Sequence, residues 1–369
     1  MLTSAERERR YRLVREQMQR RDISVLVAAS NAQINQQGFV RFFSNLPIPI
    51  YSHGLLFPLE GEPLLFTPSP VQTYWAHRLS WMADEQIVMA RPWGRPCAAR
   101  INELGLAEAR IGLLNPDTCP APDLDALREL CPGADLVDCQ PWFEEVRSQK
   151  SREELTVMRW TTQIADQAMR LFRECLQPNV SEREIVAEVE REVRRLGAER
   201  TFYLIASQPG LQYPYIPGDG LLTPDAPVLF SIELSGAEGY WSQVVRTFFW
   251  DEPGGELERM CRALAELRLL AQQELRPGRE IAQVARIFRQ TVQRHGLDFG
   301  IHFGHGLGLD VVEEPLVNTE NHSPLLENQV AVIHPHLVDA DRELGVWFGD
   351  VYLIGEENTE ILSSTDIGF

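Results

Sequence analysis

The stretch "IHFGHGLGLDVVEEP", Ile301–Pro315, decides how this chain is read. Glycines at 304, 306 and 308 serve a backbone turn, a place where the missing side chain is an advantage. His305 sits among them, and Glu313 and Glu314 follow just ahead of Pro315. An imidazole titrates near neutral pH and can move protons, and carboxylates nearby can hold a cation. Glu314-Pro315 also reads as the end of a strand.

Outward from this stretch the chain alternates helices and strands. Upstream lie "SREELTVMRWTTQIADQAMRLFRECL", "SEREIVAEVEREVRRLG", "ELERMCRALAELRLLAQQEL" and "REIAQVARIFRQTVQRHG", whose apolar residues recur at three and four spacing and predict amphipathic helices. Ser181 and Glu184 predict a capping box, and Gly296 a helix end. The strands are "APVLFSIELSG", "SQVVRTFFW", "NQVAVIHPHLV" and "VWFGDVYLIG". Helices on one side of a mostly antiparallel curved sheet, an α+β arrangement, is the natural packing of that order. Nearer the N-terminus, "ISVLVAA", "HGLLFPL", "EPLLFTP" and "ARIGLLN" alternate with helical stretches, the pattern of an α/β domain. The charged run "FEEVRSQKSREEL" places a linker near residues 145 to 152 and gives domains over 1–147 and 148–369.

Composition removes several function classes. The 369 residues exceed what one core serves well, ~250 residues, so two domains are expected. A net charge of -18 repels nucleic acid and anionic membranes, so neither is an expected partner. No apolar run approaches the ~20 residues of a membrane span, and the charged N-terminal helix is no export signal, so a cytoplasmic location is expected. The six cysteines lack the spacing of a disulfide frame or structural zinc site. Lys150, the only lysine, sits in the linker-like run and offers pyridoxal-phosphate chemistry no convincing anchor.

Four segments, "GREIAQVARIFRQTV", "FGHGLGLDVVEEP", "LLENQVAVIHPHLV" and "VYLIGEENTEILSS", occur in an order that resembles the pita-bread fold shared by methionine aminopeptidase, aminopeptidase P, prolidase and creatinase. The preceding residues resemble the smaller α/β N-terminal domain of the creatinase and prolidase branch. For the metallopeptidases of that M24 family the resemblance implies two Asp, one His and two Glu around two divalent ions. In this sequence the positions carry Glu233, Gln243, His305, His334 and Gly349, with Asp350 beside the last. The proton-relaying second histidine is Val312. Gln and Gly remove charge and oxygens, so a dinuclear metallopeptidase is not expected, and no cofactor is.

The leading expectation is a creatinase-like or ectoine-hydrolase-like, metal-independent hydrolase acting on a C–N bond of a small nitrogen-rich molecule, with lyase or cyclase chemistry open. His305, Glu233, His334 and Glu313 are the expected catalytic residues. Gln243, Glu314, Asp350 and Tyr215 are expected to bind substrate. Tyr51, His53 and Arg41 join them because "NLPIPIYSHG" falls where creatinase-like homodimers pass a segment into the neighbouring chain's cleft. Two alternatives stand beside it: a mononuclear metal enzyme using His305 and His334, and a non-catalytic relative that binds a ligand or peptide in the old cleft, as pita-bread domains of a histone chaperone do. His302, His322 and His336 read as structural or surface residues.

Overall fold

Apolar runs that saturate burial form the middle of the first sheet: β1 (Val25–Ser30) and β2 (His53–Pro58) are buried at every position. The computed structural model describes residues 2–366 and divides into two units, Met1–Arg147 and Ser148–Phe369. In the first unit, β1 and β2 are joined by β3 (Leu64–Thr67), β4 (Ile87–Met89), β5 (Arg110–Leu114) and β6 (Asp135–Asp138). The mixed sheet has the order β4-β3-β2-β1-β5-β6. Its helices are α1 (Ser4–Arg20), α2 (Gly38–Ser44), α3 (Pro70–Leu79), α4 (Gly94–Glu103), α5 (Ala121–Leu130) and α6 (Gln140–Ser148). Because α6 runs to Ser148, the expected linker is mostly helix.

The second unit opens with α7 (Arg152–Cys175) and α8 (Glu182–Arg195). Each starts at a capping box, Ser151 with Glu154 and Ser181 with Glu184, in which hydroxyl and carboxylate satisfy two backbone N–H groups the helix cannot. A three-stranded antiparallel sheet follows: β7 (Arg200–Ala206), β8 (Val228–Ser235) and β9 (Trp241–Phe248). Side chains alternate across it. Phe230, Ile232, Leu234 and Val244 pack with Phe172 of α7 and Val189 of α8. Leu229 and Val245, on the opposite face, pack with Trp347.

After α9 (Gly255–Glu274) and α10 (Ile281–Arg294) come β10 (Asp298–Phe299), β11 (Gly304–Gly306), β12 (Val330–Ile333), β13 (His336–Asp339), β14 (Leu344–Trp347), β15 (Asp350–Ile354) and β16 (Thr359–Ile361). They form sheets β11-β12-β15-β16 and β10-β13-β14. Ile333, Tyr352 and Ile354 pack with Leu267 of α9 and Phe288 of α10, which fixes the other face of β12 and β15 as helix-free. Strand β9 connects the sheets through Trp241 N–H to Gly308 O at 2.7 Å, the Val245–Gly349 bridge, and the Thr247 hydroxyl on Trp347 O at 2.8 Å. Helices therefore cover one side of the strands, and the helix-free faces carry the site.

The segments 328–338 and 346–355, each read from sequence as one strand, are each two strands in different sheets. One break falls at His334-Pro335, where proline has no N–H to continue a ladder, and the other at Phe348-Gly349.

Candidate functional site

Glu233 and Gln243 face each other directly across β8 and β9. Gln243 Nε2 donates to Glu233 Oε1 at 3.1 Å and lies 3.4 Å from Ser231 Oγ, while Gln243 Oε1 is buried with no hydrogen-bond partner. Burial pushes the Glu233 carboxyl up to about 8, so it keeps its proton at neutral pH.

On β11, His305 pairs with Val332, which pairs with Val351, so all three share the helix-free face. His334 continues that face one residue beyond β12. Its ring lies 5.1 Å from that of His305, centroid to centroid. The exposed His302 completes a cluster, 5.7 Å from His305 and 5.0 Å from His334. His305 Nδ1 sits 2.9 Å from Gly306 O. A carbonyl only accepts, so Nδ1 carries the proton and Nε2 keeps the lone pair. Burial lowers His305 to about 4 and His334 well below the imidazole range, so both are neutral. Both His334 ring nitrogens are buried without a partner.

The other expected site residues go elsewhere. Asp350 pairs with Ile333 and so points to the helix side, opposite His305. Its Oδ1 accepts from Arg246 at 2.8 Å and Ser363 at 2.6 Å, and its Oδ2 from Arg268 of α9 at 2.7 Å. This carboxylate anchors the fold and does not face the site. Glu313 accepts from Lys150 Nζ at 2.8 Å, with both side chains buried, and so holds a turn instead of facing substrate. Glu314 accepts from Leu316 N–H and Asn321 Nδ2 at the loop that follows. Tyr215 exchanges both backbone hydrogen bonds with Ile205, whose side chain packs on the helices, so its ring shares the helix side and is exposed. Tyr51, His53 and Arg41 belong to the first unit. His53 and Arg41 are buried within it, and the exposed Tyr51 ring carries Arg91 at 4.3 Å. Sequence reasoning missed Lys150, which is buried and not in a solvated linker, and undervalued His302. The lysine's solitude was the available signal.

The dinuclear donor set implied by the resemblance does not fit these residues. A Cβ on Gly349 would lie 2.8 Å from Val245 Cγ2 and 2.9 Å from His334 Cβ, leaving no room for a glutamate. Gln243 is an uncharged amide where the resemblance implies a carboxylate. Among the described residues, no group of three His, Cys, Asp or Glu side chains is arranged to hold a metal ion. What the strands present instead is a neutral acid beside an orphan amide oxygen on β8 and β9, and two neutral imidazoles 5.1 Å apart on β11 and at the end of β12.

Residues 156–356 match metallopeptidase family M24, and residues 10–149 match the creatinase/prolidase N-terminal domain. An uncharacterised peptidase of Staphylococcus aureus strain MW2 is 27% identical over 229 residues, 60% of this chain and 64% of that one, so the chain matches less than two thirds of that relative's length. A putative dipeptidase of Bacillus subtilis, YkvY, is 24% identical over 76% of this chain and 78% of its own. Among solved structures, a prolidase from Pyrococcus horikoshii superposes with a TM-score of 0.81 at 22% identity, covering 97% of this chain and 99% of that one.

Proposed function

The chain belongs to metallopeptidase family M24 and carries a creatinase/prolidase N-terminal domain, and on that premise we propose a metal-independent hydrolase of a C–N bond in a small, nitrogen-rich, cationic molecule. The observation that carries this reading is the buried, unpartnered Gln243 Oε1 beside Glu233. Buried polar atoms without partners are rare and costly, so a ligand that donates hydrogen bonds belongs there. The site is rich in acceptors: Gln243 Oε1, the Glu233 oxygens, His305 Nε2 and one nitrogen of His334. An amidinium or guanidinium supplies matching N–H groups and a charge that draws the proton off Glu233.

In this reading water attacks the amidine carbon while His305 Nε2 takes its proton. The C–N bond then breaks as the leaving nitrogen takes that proton from His305, and the free ring nitrogen of His334 accepts the remaining hydroxyl proton as the C=O bond forms. The reading includes a homodimer.

A screen of small amidine and guanidine amino-acid derivatives tests it. Turnover is expected to survive a chelator and to vanish in His305→Ala and Glu233→Gln with folding intact. Robust manganese-stimulated cleavage of a Xaa-Pro dipeptide overturns it. A second reading, ligand binding without turnover, draws on the depressed His305, a weak base as it stands. Calorimetric binding of the same compounds by a protein that never hydrolyses them would establish it.

A further inference from the structure

We propose that Lys150 is a positioning residue that holds the His305 ring in a single tautomer through Glu313. The pair is fully enclosed: Lys150 Nζ lies 2.8 Å from Glu313 Oε2, and the side chains are 2% and 1% exposed. The other carboxylate oxygen, Oε1, accepts the backbone N–H of Asp310 at 3.2 Å. A Cβ on Gly308 would lie 2.2 Å from the Glu313 carboxylate, so this group fills the inside of the turn and Gly308 must be glycine to admit it.

The same glutamate reaches the histidine through the main chain. Glu313 N–H donates to Gly306 O at 3.0 Å, and Gly306 N–H donates to Glu313 O at 3.0 Å. Gly306 O is also the acceptor of His305 Nδ1–H at 2.9 Å. One carbonyl therefore carries both the turn and the ring, and the buried ion pair fixes where that carbonyl points.

The ammonium comes from fixed backbone. Lys150 N–H donates to Asn328 O at 3.0 Å, and Gln149 bridges to Gln329 just ahead of β12, the strand that pairs with β11. Lys150 and His305 are thus tied to one ladder from two sides. Without the ammonium, Glu313 loses its buried counter-charge, and its carboxylate is expected to take up a proton or shift within the turn, since removing one member of a buried ion pair is strongly destabilising. The turn then loses its filling and Gly306 O its direction. His305 Nε2 would no longer be the nitrogen that always carries the lone pair.

The proposal rests on the proposed function only in giving His305 a proton to move, and its test reads the ring itself. Long-range nitrogen-15 NMR of labelled histidine, with the His305 signal assigned by its loss in His305→Gln, reports the tautomer at pH 7.5. The wild-type protein and Lys150→Arg are expected to show the Nδ1–H form alone. Lys150→Met, or Lys150→Met with Glu313→Ala should the first not fold, is expected to show both tautomers. A folded variant of either kind that keeps a single Nδ1–H form overturns the proposal. So does loss of the fold in both, seen by circular dichroism, because the pair would then hold the domain and not the ring. Absence of turnover in the wild-type protein would sink the enzymatic reading and leave this result standing.

Discussion

Glu233 shows how burial sets chemistry at a single residue. Its proton is retained up to about 8 in the folded protein, whereas an unfolded chain releases it near the ordinary carboxylate value of about 4.3. Between those limits the folded state binds more protons, so stability falls as pH rises, at about 1.4 kcal/mol per pH unit where the difference is one full proton. The buried imidazoles work in the opposite direction: depressed when folded, they cost stability as pH falls below about 6.5. Urea titrations of the wild-type protein and Glu233→Gln between pH 6.5 and 8 isolate the glutamate by difference, because the contributions of the buried histidines are common to both. Wild-type stability should fall relative to the variant as pH rises, and parallel slopes for the two proteins would show that Glu233 is ionised.

Two strand breaks decide the site at the scale of elements. His334 and Gly349 stand where β12 gives way to β13 and β14 to β15, and their backbones come close enough that a side chain at 349 meets His334 and Val245. Gly349→Glu, which restores the carboxylate of the resemblance, should destabilise the protein by about 1–3 kcal/mol through overpacking. Adding Val245→Ala should recover part of that loss, because it removes Cγ2, the atom that a side chain at 349 meets first. Equal denaturation midpoints for the wild-type protein and Gly349→Glu would mean that the position is roomier than its geometry implies.

For the whole molecule, the first unit presents Val71, Tyr74, Trp75 and Leu79 on one exposed face of α3. Apolar surface gathered in this way is costly to leave in water and suits a second copy of the chain. Light scattering is expected to give the mass of two chains at micromolar concentration, falling toward one on dilution. A single-chain mass throughout would remove the homodimer from the proposal. No helix of the described residues is long and apolar enough to cross a membrane.

Periodicity and turn chemistry, read without coordinates, were enough for the helices, and the resemblance of four motifs was enough for the fold. The α7–α10 helices follow from three-four spacing, the Ser181 cap from the order of its residues, and the pita-bread architecture from four motifs in sequence. The pairing of Glu233 with Gln243 and the nearness of His305 to His334 follow from the strands that carry them. Direction did not follow. Asp350 and Gly349 are neighbours in sequence, yet a period of two turns them to opposite faces, so the retained carboxylate went to Arg246 and Arg268 on the helix side. Tyr215 was lost to the same rule through its pairing with Ile205. Lys150 and Glu313 are 163 residues apart, and nothing local in either segment records their meeting. Tertiary structure alone decided which polar groups neutralise one another and which remain unpartnered, because burial and register depend on strands that are remote in the chain.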